Sequence, residues 1–228
     1  MPWLGWFELL DNTDVFVLLD DVQFSKQSWQ QRNRIKTSKG SEFITLSVKK
    51  NSNKEKINDV KLTNFKYDLK KIIKTIETNY NKTKHYEKLI KELMILFDKI
   101  SDSKKLIDVN LNLIIFFNKI LGINKKIYFS SNLPFLLNKT NYIIEICKFF
   151  KIDNYVSPYG ARDYLLNDID KFKKNNIKIF LQNFKTPLYS QCFGCFEENL
   201  SIIDLLFNEG PNSLNIIRSG RNELINFL

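Results

Sequence analysis

Two adjacent acids, Asp20 and Asp21, are the side chains of this sequence best suited to acid–base chemistry. They directly follow a continuous apolar run at 15–19, which is typical of a buried strand. The residues after them are amides, cations and an indole: Gln23, Lys26, Trp29, Arg32, Asn33 and Arg34. Because ligands of open α/β sheets gather at the carboxyl ends of the strands, this order predicts a catalytic or binding site. Turn-forming acids before a solvated basic strand would produce the same spacing.

A second set of candidates follows another predicted strand, at 155–157. They occupy a turn that opens towards a helix, where backbone amides can receive an anion: Ser157, Tyr159, Gly160, Arg162 and Asp163. The turn lacks the spacing of GxGxxG and of the P-loop, so it predicts no particular nucleotide. Arg162 could bind a phosphate or a carboxylate through two parallel hydrogen bonds. A solvent-exposed arginine on a turn, without any ligand, is about as common.

Asp204 and Asn208 form a third candidate pair, in a helix predicted at 199–211. Residues four apart lie on one helix face, so both side chains can point into one cleft. Ser201 and Asp204 also match a capping box, which would explain the aspartate without any ligand.

The cysteines and the single histidine predict no metal site. Cys192 and Cys195 make a CxxC pair, but a structural zinc site needs four ligands, and only Cys147 and His85 remain, on other predicted helices. We therefore expect His85 at the surface, and reduced thiols, because three cysteines are an odd count. No cofactor follows from the sequence.

The elements that must position these candidates alternate between strands and helices. Strands are predicted at 15–19, 42–48, 126–129, 155–157 and 177–181, and helices at 141–150, 168–174 and 199–211. This alternation predicts an α/β fold with a mainly parallel sheet and helices on both faces. Three apolar stripes predict a helical insertion or flank at about 64–121. No linker rich in Pro, Gly or Ser interrupts the chain, so we expect a single domain over 1–228.

A further extended segment at about 28–37 carries three cations at a period of two. In a strand, Arg32, Arg34 and Lys36 share one face, which would suit an anionic ligand. An edge strand protected by charge is the alternative.

Charge and hydropathy indicate which kinds of partner this protein could bind. The 228 residues carry 35 Lys and Arg against 25 Asp and Glu, a net charge of +10, which would help to attract an anion. The lysines are spread along predicted helices and form no stripe, so nucleic acid is the less favoured partner. No run reaches the roughly 18 apolar residues of a membrane span, and no signal peptide is recognisable, so we expect a cytoplasmic protein without membrane insertion.

Three segments resemble the WbqC-like family of bacterial proteins, in the family's order: residues 2–36, YVSPYGARDYL at 155–165 and NLSIIDLLFNEGP at 199–211. The resemblance places Ser157 to Gly160 on the family's Ser-Gly-rich turn, with Asp163 and Tyr164 at its acidic and aromatic positions. The family's His-Gln-Pro-x-Tyr element, which usually precedes the Pro-Trp seen here as Pro2-Trp3, is absent. We therefore expect that Met1 is an internal methionine and that the reading frame extends upstream, which translation of the upstream DNA would test.

The resemblance implies a role in O-antigen or other surface-polysaccharide biosynthesis. The expected activity is a transferase that modifies a nucleotide-activated amino sugar by forming an amide with an acyl or aminoacyl group. In it, Asp20 or Asp21 would act as general base while Lys26, Arg32 and Arg34 hold phosphates and Trp29 stacks on a ring. The alternatives are a non-catalytic nucleotide- or nucleic-acid-binding protein that uses the basic face around Arg32, Arg34 and Lys36, and an inactive remnant.

Overall fold

The computed structural model describes residues 1–135 and 139–228. The chain forms two compact units. The first unit contains Met1–Phe7, Asp20–Asn124 and Thr186–Ser219. The second contains Glu8–Leu19, Lys125–Lys185 and Gly220–Leu228. Each unit is therefore assembled from three separate stretches of sequence. The expectation of a single domain over 1–228 stays a prediction.

The helices predicted at about 64–121, 141–150, 168–174 and 199–211 lie close to their predicted positions, and the described residues form further helices at Leu4–Asn12, Arg162–Leu166 and Ser213–Ser219. Their bounds are α1 (Leu4–Asn12), α2 (Phe65–Tyr80), α3 (Tyr86–Ile100), α4 (Leu106–Leu121), α5 (Lys139–Phe149), α6 (Arg162–Leu166), α7 (Ile169–Lys174), α8 (Ile202–Glu209) and α9 (Ser213–Ser219). The strands are β1 (Phe16–Leu18), β2 (Arg32–Thr37), β3 (Gly40–Thr45), β4 (Ile127–Phe129), β5 (Asn154–Ser157), β6 (Lys178–Leu181) and β7 (Ile225–Asn226).

The first unit combines an antiparallel hairpin with the helices α2, α3 and α4. In the hairpin, β2 pairs with β3, and Arg34 lies opposite Phe43. Each of the three helices buries one apolar stripe, represented by Ile76, Leu93 and Leu113, as the spacing predicts. In the last turns of the third helix the buried side chains are Phe117 and Leu121, one position after the predicted Phe116 and Ile120. Amphipathic helices need such burial because their propensity alone does not stabilise them.

The second unit contains small sheets with parallel pairs. Strand β1 pairs with β4 in parallel, and β5 pairs with β6 in parallel, while β7 joins β6 in the antiparallel sense. An apolar core of helix and strand side chains packs here: Ile144, Cys147, Leu165, Phe172, Ile177, Ile179 and Leu181.

The mixed α/β class is confirmed, whereas the predicted mainly parallel sheet with helices on both faces is not established by the small sheets of the described residues. The described strands are two to six residues long and form sheets of two or three strands, and the β2–β3 sheet is antiparallel. Within residues 1–135 and 139–228, every helix is too short or too polar to cross a lipid bilayer.

Candidate functional site

One face of the β2–β3 hairpin presents cations and aromatic rings to solvent. The Trp29 side chain is 61% exposed and that of Phe43 is 49% exposed, and their ring centroids are 6.3 Å apart. The Arg32 guanidinium carbon lies 4.2 Å from the centroid of the Phe43 ring, at cation–π distance. Strand alternation places Arg34 on the same face as Arg32. We call Trp29, Arg32, Arg34 and Phe43 the cationic face.

Arg34 has unused hydrogen-bonding capacity. Its Nη1 donates to the Ser41 hydroxyl at 3.4 Å, and its Nη2 donates to the Glu198 carbonyl at 3.3 Å, both long bonds to neutral oxygens. Its Nε is buried and has no hydrogen-bond partner among the described residues. A guanidinium offers five N–H donors in a fork that fits phosphate and carboxylate. The arrangement can therefore bind an anion.

Lys36 shares this strand face but contributes no exposed charge to it. The residue is only 2% exposed, and its Nζ donates to Gln191 Oε1 at 3.0 Å and to the Cys195 carbonyl. The prediction that Lys36 joins Arg32 and Arg34 in an exposed anion-binding face is therefore wrong, because the segment around Gln191 covers the Lys36 ammonium group.

Beneath this end of the hairpin lies a buried network around Asp204, which is 0% exposed. The Tyr80 hydroxyl donates to Oδ1 of Asp204 and the Tyr189 hydroxyl donates to Oδ2, each at 2.7 Å. The backbone N–H of Lys36 donates to the Tyr80 hydroxyl oxygen at 3.0 Å. We call Lys36, Tyr80, Tyr189 and Asp204 the Asp204 network. It joins β2, α2, α8 and the segment that precedes α8.

Burial dominates the ionisation of this network. It raises the pKa of the Asp204 carboxyl above its ordinary value, and the hydrogen bonds from Tyr80 and Tyr189 and the charge of Lys36 offset part of that rise. Burial and the Asp204 charge also raise the pKa of both tyrosine hydroxyls, so these groups stay protonated and act as donors.

The capping-box explanation of Asp204 is wrong. The Ser201 side chain makes no capping hydrogen bond to α8, and its hydroxyl instead donates to the Met1 carbonyl at 3.4 Å. Asn208 does share a helix face with Asp204: its Nδ2 donates to the Asp204 backbone carbonyl at 2.7 Å, and its Oδ1 accepts from the Cys192 thiol at 3.7 Å. The Asp204 carboxylate itself is enclosed by the two tyrosines.

The predicted acid pair lies on a segment that residues 53–58 hold in place. Asp20 is 6% exposed and Asp21 is half-buried, and the Asp20 carbonyl accepts from the Asn58 N–H at 2.8 Å. The Gln23 side chain donates to the Asn53 carbonyl at 2.7 Å.

Two further candidates of the first unit differ in exposure. Lys26 is exposed. Asn33 is buried, and its amide bonds the Met1 carbonyl at 2.7 Å and the Arg34 N–H at 2.8 Å. The Asn33 amide therefore supports the hairpin instead of facing solvent.

The candidates after β5 belong to the second unit. Ser157 is fully buried, and its hydroxyl accepts from Tyr155 at 3.5 Å. The other four are exposed around the 3-10 turn Tyr159–Ala161 and the start of α6: Tyr159, Gly160, Arg162 and Asp163. Within the first unit the predicted residues therefore belong to the cationic face, the Asp20–Asp21 segment and the Asp204 network, and this turn belongs to the second unit.

The CxxC pair consists of free thiols. Burial and the nearby Asp204 charge raise the pKa of the Cys192 thiol, which favours its unreactive protonated form. His85 is half-buried, with its ring against Gly210.

Sequence reasoning missed Tyr80, Tyr189 and Phe43. Tyr80 closes the apolar stripe of α2, so its spacing indicated only core, and no pattern revealed where its hydroxyl would point. Phe43 lies in the strand predicted at 42–48, and the signal that could have found it is the short turn at 38–40, which favours pairing with 28–37 and brings Phe43 opposite Arg34. Tyr189 has no periodic signal.

The fold and the site together define a class: a mixed α/β protein with small sheets that carries a surface of two half-buried arginines and two exposed aromatic rings. The chain belongs to the WbqC-like protein family, which matches it over residues 1–216. A relative in Mycobacterium tuberculosis, named "Uncharacterized protein Rv1507c", is 30% identical over 220 residues, which cover 96% of this chain and 94% of that protein. No solved structure matches the chain significantly.

Proposed function

We propose that this protein is a transferase that modifies a nucleotide-activated amino sugar by forming an amide with an acyl or aminoacyl group. The proposed pathway is the biosynthesis of O-antigen or another surface polysaccharide. One observation carries the substrate class: the Arg34 guanidinium makes only long bonds to neutral oxygens and lies on an exposed face with Arg32 and two aromatic rings.

Two parts of a nucleotide sugar, the diphosphate and the nucleobase, have proposed counterparts on the cationic face. A diphosphate suits Arg32 and Arg34, because charge-assisted bonds to guanidinium groups are about twice as strong as neutral ones. A nucleobase suits Trp29 and Phe43, since stacking of a base on an aromatic side chain contributes about 1–3 kcal/mol. Lys26 and Gln23 are the proposed polar contacts nearby in sequence.

For the chemical step, we assign the general base to Asp20 or Asp21. The amine nitrogen of the sugar attacks the acyl carbonyl carbon, the carboxylate takes the proton that the nitrogen loses, and the donor's leaving group departs with the electron pair of the broken bond. Such proton transfer contributes about 10²- to 10⁴-fold in rate. Two other predicted contacts are separate proposals: the exposed turn Tyr159–Asp163 as a ligand contact of the second unit considered by itself, and Asn208 as a contact of the first unit. The Asp204 carboxylate and Ser157 are fully buried, so their proposed role is to support these neighbours.

Binding of uridine diphosphate, measured by titration calorimetry, tests the proposal. We expect Arg34→Gln to weaken binding about ten- to one-hundredfold, because this is the affinity change that corresponds to the free energy of one hydrogen bond to a charged group. Lys39→Gln is the matched control, because it removes an exposed cation from the turn of the same hairpin and should change affinity less than about twofold. Equal affinities of wild type and Arg34→Gln would rule out this binding face.

A further inference from the structure

The exposed side of α2 carries a dense cluster of lysines. Lys66, Lys70, Lys71 and Lys74 are all exposed, within little more than two turns of the helix. Residues three and four apart are neighbours on a helix surface, so these side chains share one face. The prediction that the lysines form no stripe is therefore wrong for α2. We call these four lysines and the exposed Tyr67 the lysine face.

The carboxylates of α2 do not balance this charge at the surface. The acids of the helix are Asp68, which is buried and accepts from the Ser47 hydroxyl at 3.0 Å, and Glu77, which is half-buried. On the lysine face, only Lys66 forms an ion pair within the described part of the chain, with the exposed Asp102 at 2.8 Å. The other three ammonium groups of the face are therefore open to an external anion.

Other helices of the protein do balance their exposed lysines. In α5, Lys148 pairs with Glu145 at 2.8 Å, and at α7, Lys171 pairs with Asp168 at 2.7 Å, each three residues apart. A helix surface that carries both signs is an ordinary solvated one. Because the lysine face carries one sign only, α2 differs from these helices by more than the general basicity of the chain.

Tyr67 adds an aromatic ring to the lysine face. Its side chain is 70% exposed. A tyrosine has an apolar ring and a polar hydroxyl, a combination that is enriched where a membrane meets water. Lysines have long apolar stems, so their ammonium groups can reach phosphate groups while the stems cover the ring of a neighbour.

The chemistry of this face suits a lipid surface better than a nucleic acid. Its cations are all lysines, which are compact, hydrated point charges, whereas arginine is the residue preferred for nucleic-acid recognition. The outer side of a helix is convex, whereas proteins that bind single strands use a basic groove with several stacking rings. A layer of anionic phospholipid headgroups instead attracts a cluster of four or more basic residues on one helix.

We propose that the lysine face docks this protein on an anionic phospholipid bilayer. The apolar side of α2 is packed in the core through Ile72 and Ile76, so the helix adsorbs by charge with one ring at the interface and does not insert. Each lysine close to such a surface raises the affinity about fivefold. The proposal does not depend on the proposed transferase activity.

Co-sedimentation of the full-length protein with lipid vesicles at low salt tests the docking. We expect binding to vesicles of equal parts phosphatidylcholine and phosphatidylglycerol, and none to vesicles of phosphatidylcholine alone. The triple variant Lys70→Gln, Lys71→Gln, Lys74→Gln should bind the anionic vesicles about one-hundredfold more weakly, because it removes three of the four surface charges.

The matched control is the triple variant Lys148→Gln, Lys171→Gln, Lys173→Gln. It removes the same net charge, but from lysines that each pair with an acid three residues away, so its affinity should stay within about fivefold of the wild type. Equal losses in both triple variants would overturn the proposal, because net charge alone would then explain the binding. A wild type that binds a single-stranded oligonucleotide but not the anionic vesicles would overturn it as well.

A substitution of the exposed aromatic residue tests whether the lysine face itself meets the lipid. The added fluorescence of Tyr67→Trp, taken as the difference from the wild type, should shift to shorter wavelength when anionic vesicles are added, because an indole at the interface leaves bulk water. Vesicle binding without this shift would show that another surface faces the bilayer and would contradict the proposal.

Discussion

Asp204 shows how one carboxylate can hold three elements together. Its two oxygens accept from Tyr80 of α2 and from Tyr189, while the Tyr80 hydroxyl in turn accepts from the backbone of Lys36 in β2. A buried acceptor of this kind stabilises only while all its bonds are made, since an unsatisfied partner costs about 1–3 kcal/mol. The network therefore fixes β2 next to the turn of the hairpin, two residues along the strand from Arg34 of the cationic face.

The ionisation of Asp204 predicts a pH-dependent effect of Asp204→Asn. The carboxyl has a raised pKa in the folded protein, so the folded state holds its proton more tightly than the unfolded state does. The wild type therefore gains stability as pH falls through the folded-state pKa towards the ordinary value near 3.8, and the asparagine variant does not. Urea unfolding at pH 7 and at about pH 4.5 should show a larger advantage of the wild type at the lower pH.

The control is Asp14→Asn, which removes an exposed carboxylate and should follow the wild type at both pH values. An advantage of the wild type over Asp204→Asn that shrinks on acidification would contradict the raised pKa.

Among the elements, the junction of α3 and α8 depends on a single glycine. Gly210 follows α8 with φ +52° and ψ −122°, and a Cβ placed there would lie 2.5 Å from the His85 ring. The His85 N–H bonds the Phe207 carbonyl at 3.2 Å, which holds the His85 backbone against α8, so only rotation of the half-buried ring could relieve the overlap.

We therefore expect Gly210→Ala to destabilise the protein by more than about 2 kcal/mol, from backbone strain and overlap together. Gly122→Ala is the matched control: Gly122 also has a positive φ, of +73°, but no atom within 4 Å of the added carbon, so it should cost about 1 kcal/mol. Thermal unfolding measures both changes. The double variant His85→Ala, Gly210→Ala should recover part of the loss, and no recovery would show that overlap with His85 is not the cause.

At the level of elements, the sequence was a good guide where periodicity was strong. The stripes of α2, α3 and α4 predicted the three helices, and alternation predicted the strands that became β2 and β3. The burial of Lys36 was not predictable, because its partners Gln191 and Cys195 lie about 160 residues away and carry no pattern that points to it. The extent of the sheets was not predictable either, since it depends on long-range pairing.

For the whole molecule, the net charge of +10 raises the question of a polyanionic partner. We expect the non-specific affinity for duplex DNA to fall by about 10³-fold between 50 and 200 mM salt if six phosphates are contacted. The affinity for uridine diphosphate should fall by about tenfold or less over the same range. Fluorescence anisotropy at both salt concentrations would measure the DNA affinity, and calorimetry the affinity for uridine diphosphate. Tight DNA binding that persists at 200 mM salt would favour the nucleic-acid alternative.

The Asp204 network also sets an order of events on the ribosome. Lys36 and Tyr80 are synthesised long before Tyr189 and Asp204, and residues 186–219 complete the first unit. Until that stretch leaves the exit tunnel, the Tyr80 hydroxyl has only water or the Lys36 backbone as a partner. The nascent chain must therefore keep its apolar helices incompletely covered until residues 186–219 have been synthesised, and such exposed apolar surface favours aggregation in the absence of chaperones.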